Sequence, residues 1–169
     1  MAQINFKDAT AHTCGELPDV GDKAPDFTLV DKELNDRSLV DFQSERVILN
    51  IFPSIDTPTC AASTRRFNRE LEKHAGLKVL CVSADLPFAQ ARFCGAEGTH
   101  RVITLSSFRN PEFGFDYGVL LTDTALKGLF ARALVVIDTT GRVRHTELVA
   151  DIASEPSYSL ALDAALAAD

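Results

Sequence analysis

The stretch RVILNIFPSIDTPTCAASTRRFNRELEKHAGLKVLCVSA, residues 46–84, decides how the rest of the chain is read. RVILNIF (46–52) is nearly continuous in apolar residues, the pattern of a strand covered on both faces. TCAASTRRFNRELEKHA (59–75) places Phe67, Leu71 and Ala75 at four-residue spacing, which predicts a helix with one apolar face. LKVLCVSA (77–84) predicts a second buried strand. Short apolar strands alternating with helices favour a parallel βαβ start.

Outward from this unit, FTLV (27–30) and RVITLS (101–106) predict short strands, and PFAQARFCGAEG (87–98) predicts a helix with Pro87 near its start. ARALVVID (131–138) and VRHTELV (143–149) flank TTGR, which reads as a hairpin turn. SYSLALDAALAA (157–168) predicts a closing helix. At the other end, INF and TAHTC are β-like and separated by the turn-prone KDA, so residues 1–20 are expected to form a β-hairpin extension. GELPDVGDKAPDF is a loop rich in Gly, Pro and Asp. The expected fold class is α/β: a thioredoxin-like mixed central sheet flanked by helices, with an N-terminal β-hairpin. Residues 1–169 are expected to form one domain, long enough to bury a core unaided.

A net charge of −7, spread along the chain, argues against nucleic acid or an anionic membrane as the main partner, because both select basic patches. No stretch approaches the roughly 18 apolar residues of a membrane span. MAQINFKDAT lacks the apolar centre of a signal peptide, and a cytoplasmic location is expected. Cys14, Cys60, Cys81 and Cys94 contain no CxxC pair, which argues against a zinc knuckle or a thioredoxin-type dithiol.

Cys60 stands where the strand turns into the helix. Thr57 is a preferred N-cap type and Pro58 is favoured at the first helical position, so Cys60 falls in the first turn. Unpaired backbone N–H groups there carry partial positive charge and stabilise a thiolate, the nucleophilic form of cysteine. The same residues also fit a cysteine that merely packs behind a Thr-Pro cap, since cysteine is among the most often buried residues. Locally, both readings stand.

Pro53-x-x-x-Thr57-x-x-Cys60 resembles the peroxidatic signature of peroxiredoxins. LNIFPSIDTPTCAASTRRFN (49–68), SADLPFAQARFCGAEG (83–98), FRNPEFGFDYGV (108–119), KGLFARALVVID (127–138), ELVADIASEPSY (147–158) and GDKAPDFTLV (21–30) are similar to the thiol peroxidase group, the bacterial atypical two-cysteine branch. The resemblance spans nearly the whole chain, and RFCGAEG at its distance from PxxxTxxC is its most specific part. It implies a thioredoxin fold with an N-terminal hairpin, no metal and no organic cofactor. It implies antioxidant reduction of hydrogen peroxide and alkyl or other organic hydroperoxides, with thioredoxin as reductant and a homodimeric assembly. Cys60 would be the peroxidatic cysteine and Cys94 the resolving one, joined in an intramolecular disulfide during turnover. Thr57 and Arg132 fall on the other active-site positions, and Pro53 on a shielding proline.

Each assignment has a plainer rival. Arg132 fits an exposed strand-end arginine, and Thr57 fits a cap alone. Arg65 and Arg66 read as a solvated helix face, Cys81 as a buried structural residue, and His74 and His145 as solvent-facing. Cys14 departs from the family pattern, in which that strand usually carries an apolar residue; it is either buried in the hairpin or exposed. The competing functions are a redox sensor using the same sulfenic acid and a thiol-disulfide reductase, the latter disfavoured by the missing CxxC. Two thiols on separately packed helices seldom meet disulfide geometry, so the reduced form is expected to hold Cys60 and Cys94 apart.

Overall fold

A computed structural model describes residues 1–167. Nine strands run in chain order: β1 (Gln3–Phe6), β2 (Ala9–His12), β3 (Thr28–Val30), β4 (Asp36–Ser38), β5 (Arg46–Ile51), β6 (Leu77–Ser83), β7 (Ile103–Ser106), β8 (Ala133–Ile137) and β9 (Val143–Leu148). Four α-helices accompany them: α1 (Pro58–Leu71), α2 (Pro87–Glu97), α3 (Glu112–Asp116) and α4 (Tyr158–Ala167). The predicted end of the last helix, at residue 168, lies outside the described residues.

The main sheet has the order β4-β3-β7-β6-β5-β8-β9. β5, β6 and β7 are parallel neighbours, joined by α1 and α2 as crossovers, while β3, β8 and β9 add antiparallel pairings. This is the expected mixed sheet. Side chains on β5 alternate between its faces. Leu49 and Ile51 join Leu80, Val82, Phe27, Phe113, Tyr117 and Phe130 in one core. Ile48 joins Val79, Cys81, Phe67 of α1 and Leu162 of α4 in the other. The longer helices therefore cover one face. The short α3 and the aromatic segment around it cover the second, with Phe113 stacked on Tyr117 at 4.6 Å between ring centroids.

Several boundaries differ from the sequence reading. The α1 helix stops at Leu71 rather than Ala75, because Glu72 and Lys73 turn their N–H groups to carbonyls three residues back and tighten the last turn. β4 and α3 are too short to leave a periodic signal. At the end of α2, Gly98 adopts φ 67° and donates its N–H to Cys94 O, a left-handed cap that suits glycine.

The N-terminal hairpin forms as expected, with Gln3 opposite His12 and Phe6 opposite Ala9. It does not join the main sheet. Ile4 and Ala11 instead pack with Leu121, Ala131 and Ile152 in a small third core. The Asn5 N–H donates to Ala150 O at 2.7 Å, and the Ile152 N–H donates to Asn5 O at 3.1 Å. No helix among the described residues is long and apolar enough to cross a membrane.

Candidate active site

Cys60 is the third residue of α1 and fully buried. Thr57 is the N-cap by backbone conformation and Pro58 opens the helix, as the residue types predict. The Thr57 hydroxyl, however, does not cap. It donates to Ser54 O at 3.1 Å, alongside the Thr57 N–H at 3.2 Å, and this closes a turn over residues 54–57. The first-turn N–H groups of α1 thus lack a side-chain cap and retain their partial positive charge near Cys60.

Arg132 is 2% exposed, which removes the surface reading. It sits immediately before β8, next to the β5 end from which the Cys60 turn departs. Its Nη1 donates to Cys60 Sγ at 3.3 Å. Nε and Nη2 both donate to Ile152 O, at 3.1 and 2.8 Å. One guanidinium therefore spans the thiol and a fixed carbonyl, a fork that a lysine lacks. Pro53 is buried at the start of the turn. The structure brings Thr57, Cys60 and Arg132 to the same end of α1. A surface cleft bordered by Phe27, Leu39, Val40 and Phe113 includes none of them.

Cys94 lies near the C-terminal end of α2, 4% exposed, and borders a small cleft with Thr99, His100 and Arg37. All four cysteines are free thiols, and Cys60 and Cys94 stand on separate helices in different surroundings. Cys81 is fully buried on β6. Burial pushes its thiol up to about 12, against weak hydrogen bonds from Asn50 Nδ2 and Thr64 Oγ1. It stays protonated and inert at neutral pH. Cys14 is half-buried, and its Sγ–H donates to Gly114 O at 3.4 Å.

Arg65 and Arg66 do more than face water. Arg65 bridges to Glu97 at the end of α2, at 3.3 Å, and Arg66 lies over the Tyr158 ring. His74 and His145 are half-buried rather than solvent-facing, and His145 Nε2 is enclosed. The sequence reading missed the Ile152 carbonyl that aims Arg132 and the Thr59 hydroxyl that donates to Ala153 O at 3.0 Å. It also missed the Asp85 carboxylate, which receives Ile55 N–H at 2.7 Å. These partners lie 20 to 94 residues apart, so no local pattern announces them.

A buried thiol at a helix start, faced by a buried guanidinium on a thioredoxin-like sheet, is the constellation of a thiol-dependent peroxidase. The redoxin family pattern matches residues 19–162. Thiol peroxidases of Mycobacterium bovis and Mycobacterium tuberculosis are 54% identical over 164 residues, covering 97% of this chain and 98% of theirs. Among solved structures, a peroxiredoxin-like protein from Aquifex aeolicus superposes with a TM-score of 0.92 at 35% identity, over 98% of this chain and 96% of that one. A thiol peroxidase from Chromobacterium violaceum gives 0.89 at 25% identity, over 95% and 93%. The chain belongs to the redoxin family, in its thiol peroxidase group of peroxiredoxins. It is an oxidoreductase, a peroxidase.

Proposed function

We propose that the chain reduces hydrogen peroxide and organic hydroperoxides through Cys60, with Cys94 as resolving cysteine and thioredoxin as reductant. The observation that carries this reading is the 3.3 Å contact from Arg132 Nη1 to the buried Cys60 Sγ at the start of α1. Helix terminus and guanidinium together set positive charge beside the sulfur that must react. The thiolate attacks one peroxide oxygen, the O–O bond breaks, and the alkoxide or hydroxide leaves with a proton as alcohol or water. Cys60 becomes a sulfenic acid. Charge grows on the departing oxygen, and donors already in place stabilise that transition state more than the ground state. Arg132 is such a donor. The Thr57 hydroxyl donates its hydrogen bond to Ser54 O, which leaves its lone pairs to accept a hydrogen bond from the peroxide O–H.

The Cys94 thiol then condenses with the sulfenic acid, releasing water and forming the Cys60–Cys94 disulfide. A thioredoxin dithiol reopens it by exchange and leaves as a disulfide. Pro53 shields the thiol from solvent. The bacterial thiol peroxidases it is similar to support an antioxidant role, and we place the chain in the cytoplasm and its working form as a homodimer of single-domain chains.

NADPH consumption with thioredoxin, thioredoxin reductase and a panel of hydroperoxides tests the reading. The wild type should turn over. Cys60→Ser should not, because serine is nearly isosteric but a poor nucleophile. Cys94→Ser should complete one round and stall, with sulfinic acid at Cys60 under excess peroxide. Turnover by Cys60→Ser rejects the nucleophile. Normal cycling by Cys94→Ser moves resolution to another thiol.

A further inference from the structure

We propose that Asp85 is a positioning residue for Cys60. Its carboxylate holds the Pro53–Thr57 turn in its reactive shape and, through Ser83 and Gln90, ties that turn to the helix carrying Cys94. This rests on the assignment of Cys60 and Cys94 above.

Asp85 follows the C-terminal end of β6, beside the end of β5 from which the turn emerges. Its Oδ1 accepts the Ser54 hydroxyl at 2.8 Å, and its Oδ2 accepts the Ile55 N–H at 2.7 Å. Ile55 is fully buried, so its N–H has no water to turn to if the carboxylate is withdrawn. Ser54 in turn supplies the carbonyl that receives both the hydroxyl and the N–H of Thr57. One carboxylate thus sets the turn, and the turn sets Thr57, three residues before Cys60.

The other side of the network runs to α2. The Ser83 hydroxyl donates to Asp85 Oδ2 at 2.7 Å, and Gln90 Nε2 donates to Ser83 Oγ at 3.0 Å and to Leu105 O at 3.1 Å. Gln90 is 1% exposed and lies one helical turn before Cys94. The Asp85 backbone is pinned as well, because the Ser106 hydroxyl donates to Asp85 O. An ionised carboxylate is acceptor-only on both oxygens, which matches three convergent donors; an amide turns an NH₂ toward at least one of them.

This placement gives Asp85 opposite effects on the two chemical steps. Attack on peroxide needs the turn ordered, since catalytic groups lose rate steeply when displaced. Disulfide formation needs the turn, α2 or both to open, since each thiol now sits in its own packed helix. Loosening the Asp85 network hinders the first step and eases the second. A residue that stabilises the fold elsewhere lacks this signature, because it does not hold the segments that must open for the disulfide to close.

The test is a single-turnover experiment on the reduced full chain with hydrogen peroxide. The chain has no tryptophan, so samples are acid-quenched and alkylated, and Cys60 sulfenic acid and the Cys60–Cys94 disulfide are counted by mass spectrometry. For Asp85→Asn, the second-order rate of sulfenic acid formation should fall by roughly 10- to 100-fold, while the rate of disulfide closure should rise several-fold. Ser54→Ala removes one of the three bonds and should shift both rates the same ways by less. It carries the comparison if Asp85→Asn does not fold. Rates that stay at wild-type values, or that fall together, overturn the proposal. A wild-type chain that forms no sulfenic acid at Cys60, or no disulfide to Cys94, instead overturns the assignment beneath it.

Discussion

Arg132 divides its donors between a thiol that reacts and a carbonyl that does not. The Ile152 carbonyl takes Nε and Nη2 and carries no formal charge, so the guanidinium is aimed without being neutralised. Among the described residues no carboxylate pairs with it. An ammonium in its place keeps the charge but presents a compact, strongly hydrated group unable to span both acceptors. Arg132→Lys should therefore slow the peroxide step by on the order of 10²-fold, read as the second-order rate of Cys60 oxidation. An unchanged rate would show that charge alone suffices. Cys81 illustrates the opposite case: the same residue type, fully buried mid-strand with no cation beside it, is pushed up to about 12 and stays inert.

At the scale of elements, the β8–β9 hairpin closes on Asp138, whose side chain is fully buried. Burial raises its carboxyl. The Thr140 hydroxyl, the Arg142 N–H, the Arg144 guanidinium and the Thr140 N–H outweigh that and hold it at about 2, below the usual 3.8. A carboxyl lowered by folding adds stability that is complete above its unfolded value and lost as pH falls toward the folded one. Asp138→Asn should cost about 1–3 kcal/mol at neutral pH. The gap from wild type should close as pH falls from about 4 toward about 2. Urea unfolding of both proteins across that range checks it, and a pH-independent gap would remove the charge from the account. Elsewhere, the Arg65–Glu97 bridge joins the two thiol-bearing helices at the surface. A half-exposed pair of this kind contributes at most about 1 kcal/mol, too little to prevent either helix from opening.

Across the whole molecule, the N-terminal hairpin reaches the active site without touching it. Ile4 packs in the same small core as Ile152, and Asn5 bonds the backbone on both sides of residue 151. That segment ends at the carbonyl that orients Arg132. Ile4→Ala leaves a cavity under Ile152 and should destabilise the fold by about 2–4 kcal/mol. It should also lower the rate of Cys60 oxidation, because Arg132 loses its fixed stop. Urea midpoints and single-turnover rates on one preparation separate the two effects. A stability loss with full reactivity would make the hairpin a packing element only.

By itself the sequence determined the strands and helices whose apolar periods run long enough to be counted, from RVILNIF through LKVLCVSA to the hairpin around TTGR. It also placed Cys60 in the first turn of a helix, because Thr-Pro before a helical pattern is a local signal with a local cause. It carried the family in PxxxTxxC and RFCGAEG. The resemblance put Arg132 among the active-site positions, but tertiary structure decided that it is buried against Cys60, that a carbonyl 20 residues downstream orients it, and that Asp85 gathers Ser54, Ile55 and Ser83 onto one carboxylate. The reason is physical. Helix starts and strand runs arise from neighbours along the chain, whereas these contacts depend on which strands the sheet sets side by side. That order comes from burying two cores at once, a property of the whole chain that no short window of residues contains.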